Sequence, residues 1–446
     1  MSRLFGTDGI RGVANTELSC SLALRTGMAA ATIEKRLNPR PLFLTGRDTR
    51  ESGDMLEAAL CAGICAAGGD VVRLGVVPTP AVAYLVPHLG ADAGVMISAS
   101  HNPYQYNGIK LFGSGGFKLT DAQEDEIEAL IRAGSFDTPA TGIGRIKRIH
   151  GTVDEYIKHI ASCVSTLDGV RVALDCANGS ASRTAETLFT SLGASVTAIC
   201  AEPDGRNIND CCGSTHIGRL CRFIKENPGR FDIGFAFDGD ADRCIAADEN
   251  GDVIDGDEIM AIIAKRLKDD GRLNGGVIVA TIMSNIGLSR FASANGMTVE
   301  TTAVGDRYVL ERMLEGGFSV GGEQSGHIIL LDHMKTGDGQ LTSAMLAETL
   351  KLSGVRASQL SRMKKYPQSE TKIHATPEMK ANMHHPAATE YIKRLAEQIT
   401  DGRLLARPSG TEPVIRIMAE GSDGEQITQL VRECAATLPD ILNSIR

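Results

Sequence analysis

The chain has 446 residues, of which 23% are charged and 42% hydrophobic, with 49 Gly and 15 Pro, a globular composition that excludes disorder and collagen-like structure. At about 100 to 200 residues per domain the length predicts three or four domains, and 46 Lys+Arg against 55 Asp+Glu leave a net charge of -9, which favours neither nucleic acid nor an anionic membrane. No apolar run reaches the ~18 residues of a membrane span, and the opening MSRLFGTDGIRG lacks the apolar core of a signal peptide, so a cytoplasmic protein is expected.

The eleven cysteines are odd in number and no targeting segment accompanies them, so free thiols are expected. Cys61 and Cys65 are spaced as neighbours on one helical face and read as small buried hydrophobes. Cys211 and Cys212 have no C-x-x-C partner, so no structural zinc site is expected from them. The absence of Trp and an aromatic content of 4% argue against stacking platforms for single-stranded nucleic acid.

In chain order, FGTDGIRG (5–12) comes first, with glycines that let backbone approach a ligand and a fixed charge on Arg11. Neither G-x-G-x-x-G nor G-x-x-x-x-G-K-[ST] occurs, so dinucleotide and nucleoside-triphosphate motifs are missing. The strand-like PLFLTGRDTR (41–50) leads into a helix whose Leu56, Leu60 and Ile64 recur at helical spacing before Gly68 and Gly69. An apolar GVMIS segment then delivers Ser100 into ISASHNPYQYNGIK (97–110), followed by Lys110. A serine at a strand end can be held rigidly as a nucleophile or phosphate carrier, although an Asn/Pro turn that merely closes the strand has the same look. Thr120 and Gln123 form a capping box for TDAQEDEIEALIRAG, and 135–149 reads as linker.

The same theme of β-rich run, small polar residues and helix returns at VRVALDCANGSAS (170–182) and GGVIVATIMSNIG (275–287), which suggests related α/β units. Between them FAFDGDADRC (235–244) places Asp238, Asp240 and Asp242 on alternate positions, where their mutual repulsion calls for a cation. Hard oxygen donors favour Mg²⁺, and the calcium hand fits poorly because Gly239 falls between the first two acids. Arg243 could meet an anion on that metal. In VGGEQSGHIIL (320–330), Glu323, Ser325 and His327 alternate and in an extended segment would face one side. The tail changes to a smaller α+β pattern: a helix over 387–399, a strand near 403–407, the loop PSGTEP, the strand VIRIMAE and a helix from about 423. Around that loop Arg407, Ser409, Gly410, Thr411 and Arg416 make a phosphate-binding inventory. Domains are expected at 1–148, 149–252, 253–366 and 367–446.

The ordered set of Ser-His-Asn-Pro around Ser100, DGDADR (238–243), GEQSGH (322–327) and RPSGTEP (407–413) resembles the α-D-phosphohexomutase family over essentially the whole chain. FGTDGIRG, PDGRNIND (203–210), CGSTH (212–216), VGDRYVLE (304–311) and Gln324 are similar to the branch acting on glucosamine phosphates; glucose and mannose phosphate mutases usually have Met at Gln324. The resemblance implies three similar α/β domains plus a smaller α+β domain around a central cleft. It implies a phosphoserine at Ser100, and one Mg²⁺ per chain on Ser100, Asp238, Asp240 and Asp242. Arg11, His101, Lys110, Arg243 and His327 would surround the transferring phosphate, with Lys110 or His327 moving the hydroxyl proton. Glu323, Ser325, Gly305 and Asp306 would bind the sugar, and Arg407, Ser409, Gly410, Thr411 and Arg416 the second phosphate. The implied reaction is an intramolecular phosphoryl transfer, glucosamine 6-phosphate to glucosamine 1-phosphate, through a hexosamine 1,6-bisphosphate, in synthesis of a UDP-linked amino sugar for cell-wall precursors. A hexose 1,6-bisphosphate is the implied activator and a small sugar phosphate the partner, with no nucleic acid, no membrane, and a homodimer as one candidate assembly. The alternatives are a glucose or mannose phosphate mutase, or a sugar-phosphate binding protein without turnover.

Overall fold

The structure is a computed structural model that describes residues 3–6, 8–149, 151–360, 362–409 and 413–445. The chain divides into two units, residues 1–282 with 299–362, and residues 283–298 with 363–446.

Three sheets lie in the first unit and share one strand plan. In the seven-stranded sheet, Leu42–Arg47 is flanked by parallel Asp70–Val76 and Ala93–Ile97, and Ala93–Ile97 pairs antiparallel with Tyr106–Gly113. In the five-stranded sheet, Arg171–Asp175 is flanked by parallel Ser195–Ile199 and Ile233–Phe237, the latter antiparallel to Cys244–Asp248. In the four-stranded sheet, Val277–Thr281 lies between Thr298–Thr302 and parallel Val320–Gly322, which is antiparallel to Ile328–Leu330. Numbering strands within each unit, the shared order is 2-1-3-4 with the fourth reversed. The central strands AGVMI, IGFAF and VIVAT are buried throughout and read as continuous apolar runs, as strands covered on both faces must.

The plan matters because the turn from third to fourth strand falls at Ser98–Gln105 in the first sheet, Asp238–Arg243 in the second and Glu323–His327 in the third. Three of the motifs found along the chain therefore occupy one topological position. The first sheet gains Phe5–Gly6 and Gly9–Val13 on one edge and Ile146–Lys147, from inside the expected linker, on the other. Its helices Cys20–Glu34 and Gly53–Ala66 cross closely: a Cβ on Gly63 would stand 2.1 Å from the Leu24 carbonyl.

In the second unit, Val414–Glu420 lies between Gln368–His374 and Arg403–Pro408, antiparallel to both. Helices Pro386–Ala396 and Gly424–Ser444 cover one face through Ile415, Ile417, Leu404, Tyr391 and Leu430. Among the described residues no helix is long and apolar enough to cross a membrane.

Candidate active site

The Ser100 turn is fixed by buried polar groups. Ser100 sits at a φ of 53°, in the left-handed region that an L residue occupies only when its surroundings compel it. Its N–H donates to Ser98 Oγ at 2.9 Å, and Ser98 Oγ donates to Asp48 Oδ2 at 2.6 Å. The Ser100 carbonyl accepts from Arg50 Nη2 and Asn209 Nδ2, both at 2.9 Å. Arg50, wholly buried, also donates to Asp48 and to the carbonyls of Asn102, Pro103 and Tyr106. Ser100 Oγ donates to Asp238 Oδ2 at 2.7 Å, with His101 Nδ1 at 3.4 Å. Gly239 permits this approach, since a Cβ there would stand 2.6 Å from the Ser100 carbonyl oxygen.

Asp238, Asp240 and Asp242 are all buried and bring one carboxylate oxygen each within 4.8 Å of the others. Asp240 Oδ2 accepts from Thr79 Oγ1 at 2.6 Å and Lys110 Nζ at 2.8 Å, whereas Oδ1 of Asp240 and Oδ1 of Asp242 are buried without a hydrogen-bond partner among the described residues. Burial, and then the charges of Asp242 and Asp240, push the Asp238 carboxyl well above its ordinary range. Burial works the same way on Asp242, but Lys110, His327 and Arg243 outweigh it and hold that group down. Orphaned oxygens on crowded, hard donors fit a divalent cation of the Mg²⁺ type.

Charges alternate around this cage. Lys110, 1% exposed, lies 2.8 Å from both Asp8 Oδ2 and Asp240 Oδ2. Burial opposes its charge, yet Asp240, Asp8 and Asp242 prevail and raise its pKa. Lys118 Nζ lies 2.5 Å from Asp8 and 2.5 Å from Asp306, and Asp8 also meets Arg11. His327 stands between Asp242 (Nδ1 at 3.5 Å) and Asp306 (Nε2 at 3.7 Å); burial lowers its pKa and the two carboxylates more than restore it. The Gly337 N–H donates to His327 Nε2 at 3.2 Å, which puts the proton of the neutral ring on Nδ1. His101 is pushed down to about 4, first by burial and then by Arg243 and Arg11, and is neutral at neutral pH. Arg243 donates its backbone N–H to Asp238 Oδ1 at 3.3 Å and sets Nε 3.9 Å from Asp242 Oδ1, and Nε of both Arg243 and Arg11 is buried without a hydrogen-bond partner among the described residues.

The expected alternation of Glu323, Ser325 and His327 does not hold. Residues 323–326 are a turn closed by the Gly326 N–H on the Glu323 carbonyl at 3.0 Å, with Gly326 at a φ of 90°, and a turn has no two-residue side-chain period. Glu323 and exposed Ser325 meet directly, Ser325 Oγ to Glu323 Oε2 at 3.3 Å, while the Gly305 N–H donates to Glu323 Oε1 at 3.2 Å. His327 is buried against the aspartates. Gln324 Nε2 lies 3.3 Å from Asp255 Oδ2, the cap of helix Gly256–Asp269.

In the second unit, strand register sets Lys372 beside Arg416 and Arg416 beside Arg407, on the face opposite the helices. Arg407 Nε is buried without a hydrogen-bond partner among the described residues, and burial followed by Arg416 lowers the Arg407 pKa, with Glu370 opposing. Like charges in cross-strand register are unfavourable by about 0.2–1 kcal/mol per pair. The Ser409 N–H donates to the Val414 carbonyl at 2.9 Å, and the Ser409 carbonyl accepts from Lys380 at 2.7 Å. The expectations on Gly410 and Thr411 lie outside the described residues.

Reading the sequence missed Asp8, Asp48, Arg50, Thr79, Lys118, Asn209 and Lys372. Asp8, Asp48, Arg50 and Asn209 sat inside segments already singled out, FGTDGIRG, PLFLTGRDTR and PDGRNIND.

Sequence profiles of the phosphoglucomutase/phosphomannomutase family match the chain in four parts: alpha/beta/alpha domain I over residues 2–138, domain II over 154–251, domain III over 255–366, and the C-terminal domain over 368–437. A phosphoglucosamine mutase of Ruminiclostridium cellulolyticum is 50% identical over 97% of this chain and 98% of its own length. The crystal structure of a phosphoglucomutase/phosphomannomutase family protein from Burkholderia thailandensis superposes with a TM-score of 0.85 at 24% identity, covering 99% of this chain and 98% of that one. An N-acetylphosphoglucosamine mutase of Aspergillus fumigatus, solved with GlcNAc-6P and magnesium, gives a TM-score of 0.70 at 16% identity over 99% of this chain and 96% of that one.

Proposed function

The chain belongs to the phosphoglucomutase/phosphomannomutase family, and from that premise we propose that it interconverts glucosamine 6-phosphate and glucosamine 1-phosphate through a phosphoserine enzyme and a hexosamine 1,6-bisphosphate, in the supply of UDP-linked amino sugar for cell-wall precursors. The observation that carries the mechanism is the Ser100 hydroxyl held 2.7 Å from Asp238, beside two buried carboxylate oxygens that lack hydrogen-bond partners among the described residues. The hexosamine reading rests on the relative named phosphoglucosamine mutase at 50% identity.

In this reading Ser100 Oγ gives its phosphoryl group to the free hydroxyl of the sugar monophosphate and takes the other phosphate back after the bisphosphate has turned around. Asp238, Asp240, Asp242 and an oxygen on Ser100 would hold one Mg²⁺, and that ion would supply neutralising charge for the phosphoryl oxygens. Lys110, kept charged by Asp8 and Asp240, is a fixed electrostatic partner for those oxygens, as are Arg11 and Arg243. His327, bracketed by Asp242 and Asp306, is assigned the sugar hydroxyl proton, received at Nε2 while Nδ1 keeps the ring's resting proton. His101, neutral and 3.4 Å from Ser100 Oγ, lines the same oxygen. Glu323 and Ser325, steadied by Gly305, bind sugar hydroxyls; Asp306 orients Lys118 and His327. Arg407, Arg416, Ser409, Gly410 and Thr411 bind a phosphate monoester, with Lys372 added from the register. Domains at 1–148, 149–252, 253–366 and 367–446 complete the reading.

The experiment supplies purified protein with Mg²⁺, a trace of hexose 1,6-bisphosphate as activator, and glucosamine, glucose or mannose phosphates in turn. Glucosamine phosphate is expected to have the highest kcat/KM. A higher value on glucose or mannose phosphate would overturn the substrate assignment, and no turnover on any would overturn the enzyme.

A further inference from the structure

A second cluster of metal-binding side chains lies apart from the three aspartates. Asp175 ends strand Arg171–Asp175, and Cys200 directly follows strand Ser195–Ile199. These strands are parallel, with Asp175 opposite Ile199, so the register brings Cys200 to the end of Asp175's strand. Cys212 returns to the same point from the loop that follows, and one donor atom from each of the three residues lies within 4.8 Å of the others. Asp175 and Cys212 are wholly buried, and Cys200 is partly exposed.

The carboxylate is oriented by hydrogen bonds, the Cys200 thiol among the donors, and Arg219 partly offsets its charge without bonding to it. Asp175 Oδ1 accepts the Ala177 N–H at 2.9 Å and Oδ2 the Gly213 N–H at 3.0 Å, and among the described residues no Lys, Arg or His side chain bonds to it. Each oxygen keeps lone-pair capacity, and two backbone donors fixing a carboxylate are the support that metal ligands commonly have. Backbone in the left-handed region gathers here as well, at Ala177, Asn178, Cys200, Asn209 and Cys211.

We propose that Asp175, Cys200 and Cys212 form a second cation site, selective for a thiophilic divalent metal of the Zn²⁺ class. Two sulfurs and one carboxylate oxygen suit that ion, whereas the all-oxygen cage of Asp238, Asp240 and Asp242 suits Mg²⁺. Three protein donors leave a fourth position for water, on the side where Cys200 meets solvent. Binding releases the two thiol protons as the sulfurs become thiolates, and no oxidant enters the step. Because those protons leave on binding, uptake strengthens as pH rises. The metal clips the loop carrying Asn209, whose N–H reaches the Ala177 carbonyl at 2.9 Å and whose side chain holds the Ser100 carbonyl at 2.9 Å.

The test titrates the reduced, metal-free full chain with Co²⁺ in excess Mg²⁺, reads the thiolate-to-cobalt charge-transfer absorption, and then displaces the Co²⁺ with Zn²⁺. One equivalent is expected to develop the band and Zn²⁺ to erase it. Cys200→Ser and Cys212→Ser should each weaken Co²⁺ uptake by about a hundredfold or more, while Cys211→Ser and Cys61→Ser keep the band. Cobalt in the aspartate cage has no sulfur ligand and contributes nothing to this signal. Absence of the band, its survival in both Cys200→Ser and Cys212→Ser, its loss in Cys211→Ser, or isolation of a Cys200–Cys212 disulfide in place of metal uptake would overturn the proposal.

Discussion

Replacing Arg50 by Met removes the guanidinium that braces the Ser100 turn and leaves its volume nearly filled. Asp48 would lose its only charged hydrogen-bond partner among the described residues while staying buried, keeping Ser98 Oγ and the Arg50 backbone N–H as donors. Breaking a buried ion pair from one side costs about 3–5 kcal/mol. The Ser100 and Asn102 carbonyls keep Asn209 as donor, so the further loss falls on the Pro103 and Tyr106 carbonyls. An opening free energy lower by about 4 kcal/mol corresponds to roughly a thousandfold faster amide exchange in peptides covering 98–106, read by hydrogen-exchange mass spectrometry. Asp48→Asn in the same chain removes the stranded charge and should return more than half of that deficit. The pH dependence follows: burial already holds the Asp48 carboxyl above its ordinary range with Arg50 present, and losing Arg50 raises it further, so the Arg50→Met deficit is smallest at low pH and grows as pH rises. Exchange unchanged in Arg50→Met, or a double variant as loose as the single one, would refute the bracing argument.

Asp338 is fully buried and its carboxyl is pushed up to about 6 by burial, against the Leu341 N–H, the Tyr156 hydroxyl and the Gln340 N–H that favour its charge. A folded pKa above the unfolded ~3.9 means that this group lowers stability progressively as pH rises from about 4 to about 6 and adds nothing further above that. Asp338→Asn, which retains a capping oxygen, should flatten thermal stability over that window; equal slopes in both proteins would count against it. Gly63→Ala drives a Cβ into the Leu24 carbonyl of the neighbouring helix and should lower stability by about 1–3 kcal/mol, while Gly218→Ala, with open space around it, should leave the melting temperature within a degree or so. Arg416→Ala should weaken binding of both glucosamine monophosphates by about 1.5–3 kcal/mol, a loss of roughly tenfold to a hundredfold, in calorimetric titration; unchanged affinity would place the phosphate elsewhere.

The parts of the site that the sequence made legible are those whose chemistry is dense over a few residues. Asp238, Asp240 and Asp242 repel one another wherever the chain goes, and Ser100 follows an apolar strand whose end fixes it. Arg50, Asp8 and Lys118 were not legible because nothing local marks them: Arg50 acts on carbonyls about fifty residues away, and Lys118 acquires meaning only where Asp8 and Asp306 reach it. Glu323 to His327 misled because a period of two belongs to strands, and a glycine at positive φ made the segment a turn. The likeness among the three α/β units was visible as a pattern. That their third-to-fourth strand turns carry Ser100, the aspartates and Glu323 required the pairing register. Cys212 could not be matched to Cys200 from spacing alone, since parallel pairing of Asp175 with Ile199 is what brings them together.

The central claim is that Ser100 lends and recovers the phosphate. Intact-mass measurement and phosphosite mapping after incubation with glucosamine 1,6-bisphosphate and Mg²⁺ test it directly. The account predicts one phosphoryl group on the chain, located on Ser100, discharged by glucosamine monophosphate and missing from Ser100→Ala. A phosphoryl group on any other residue, or turnover retained by Ser100→Ala, would contradict it.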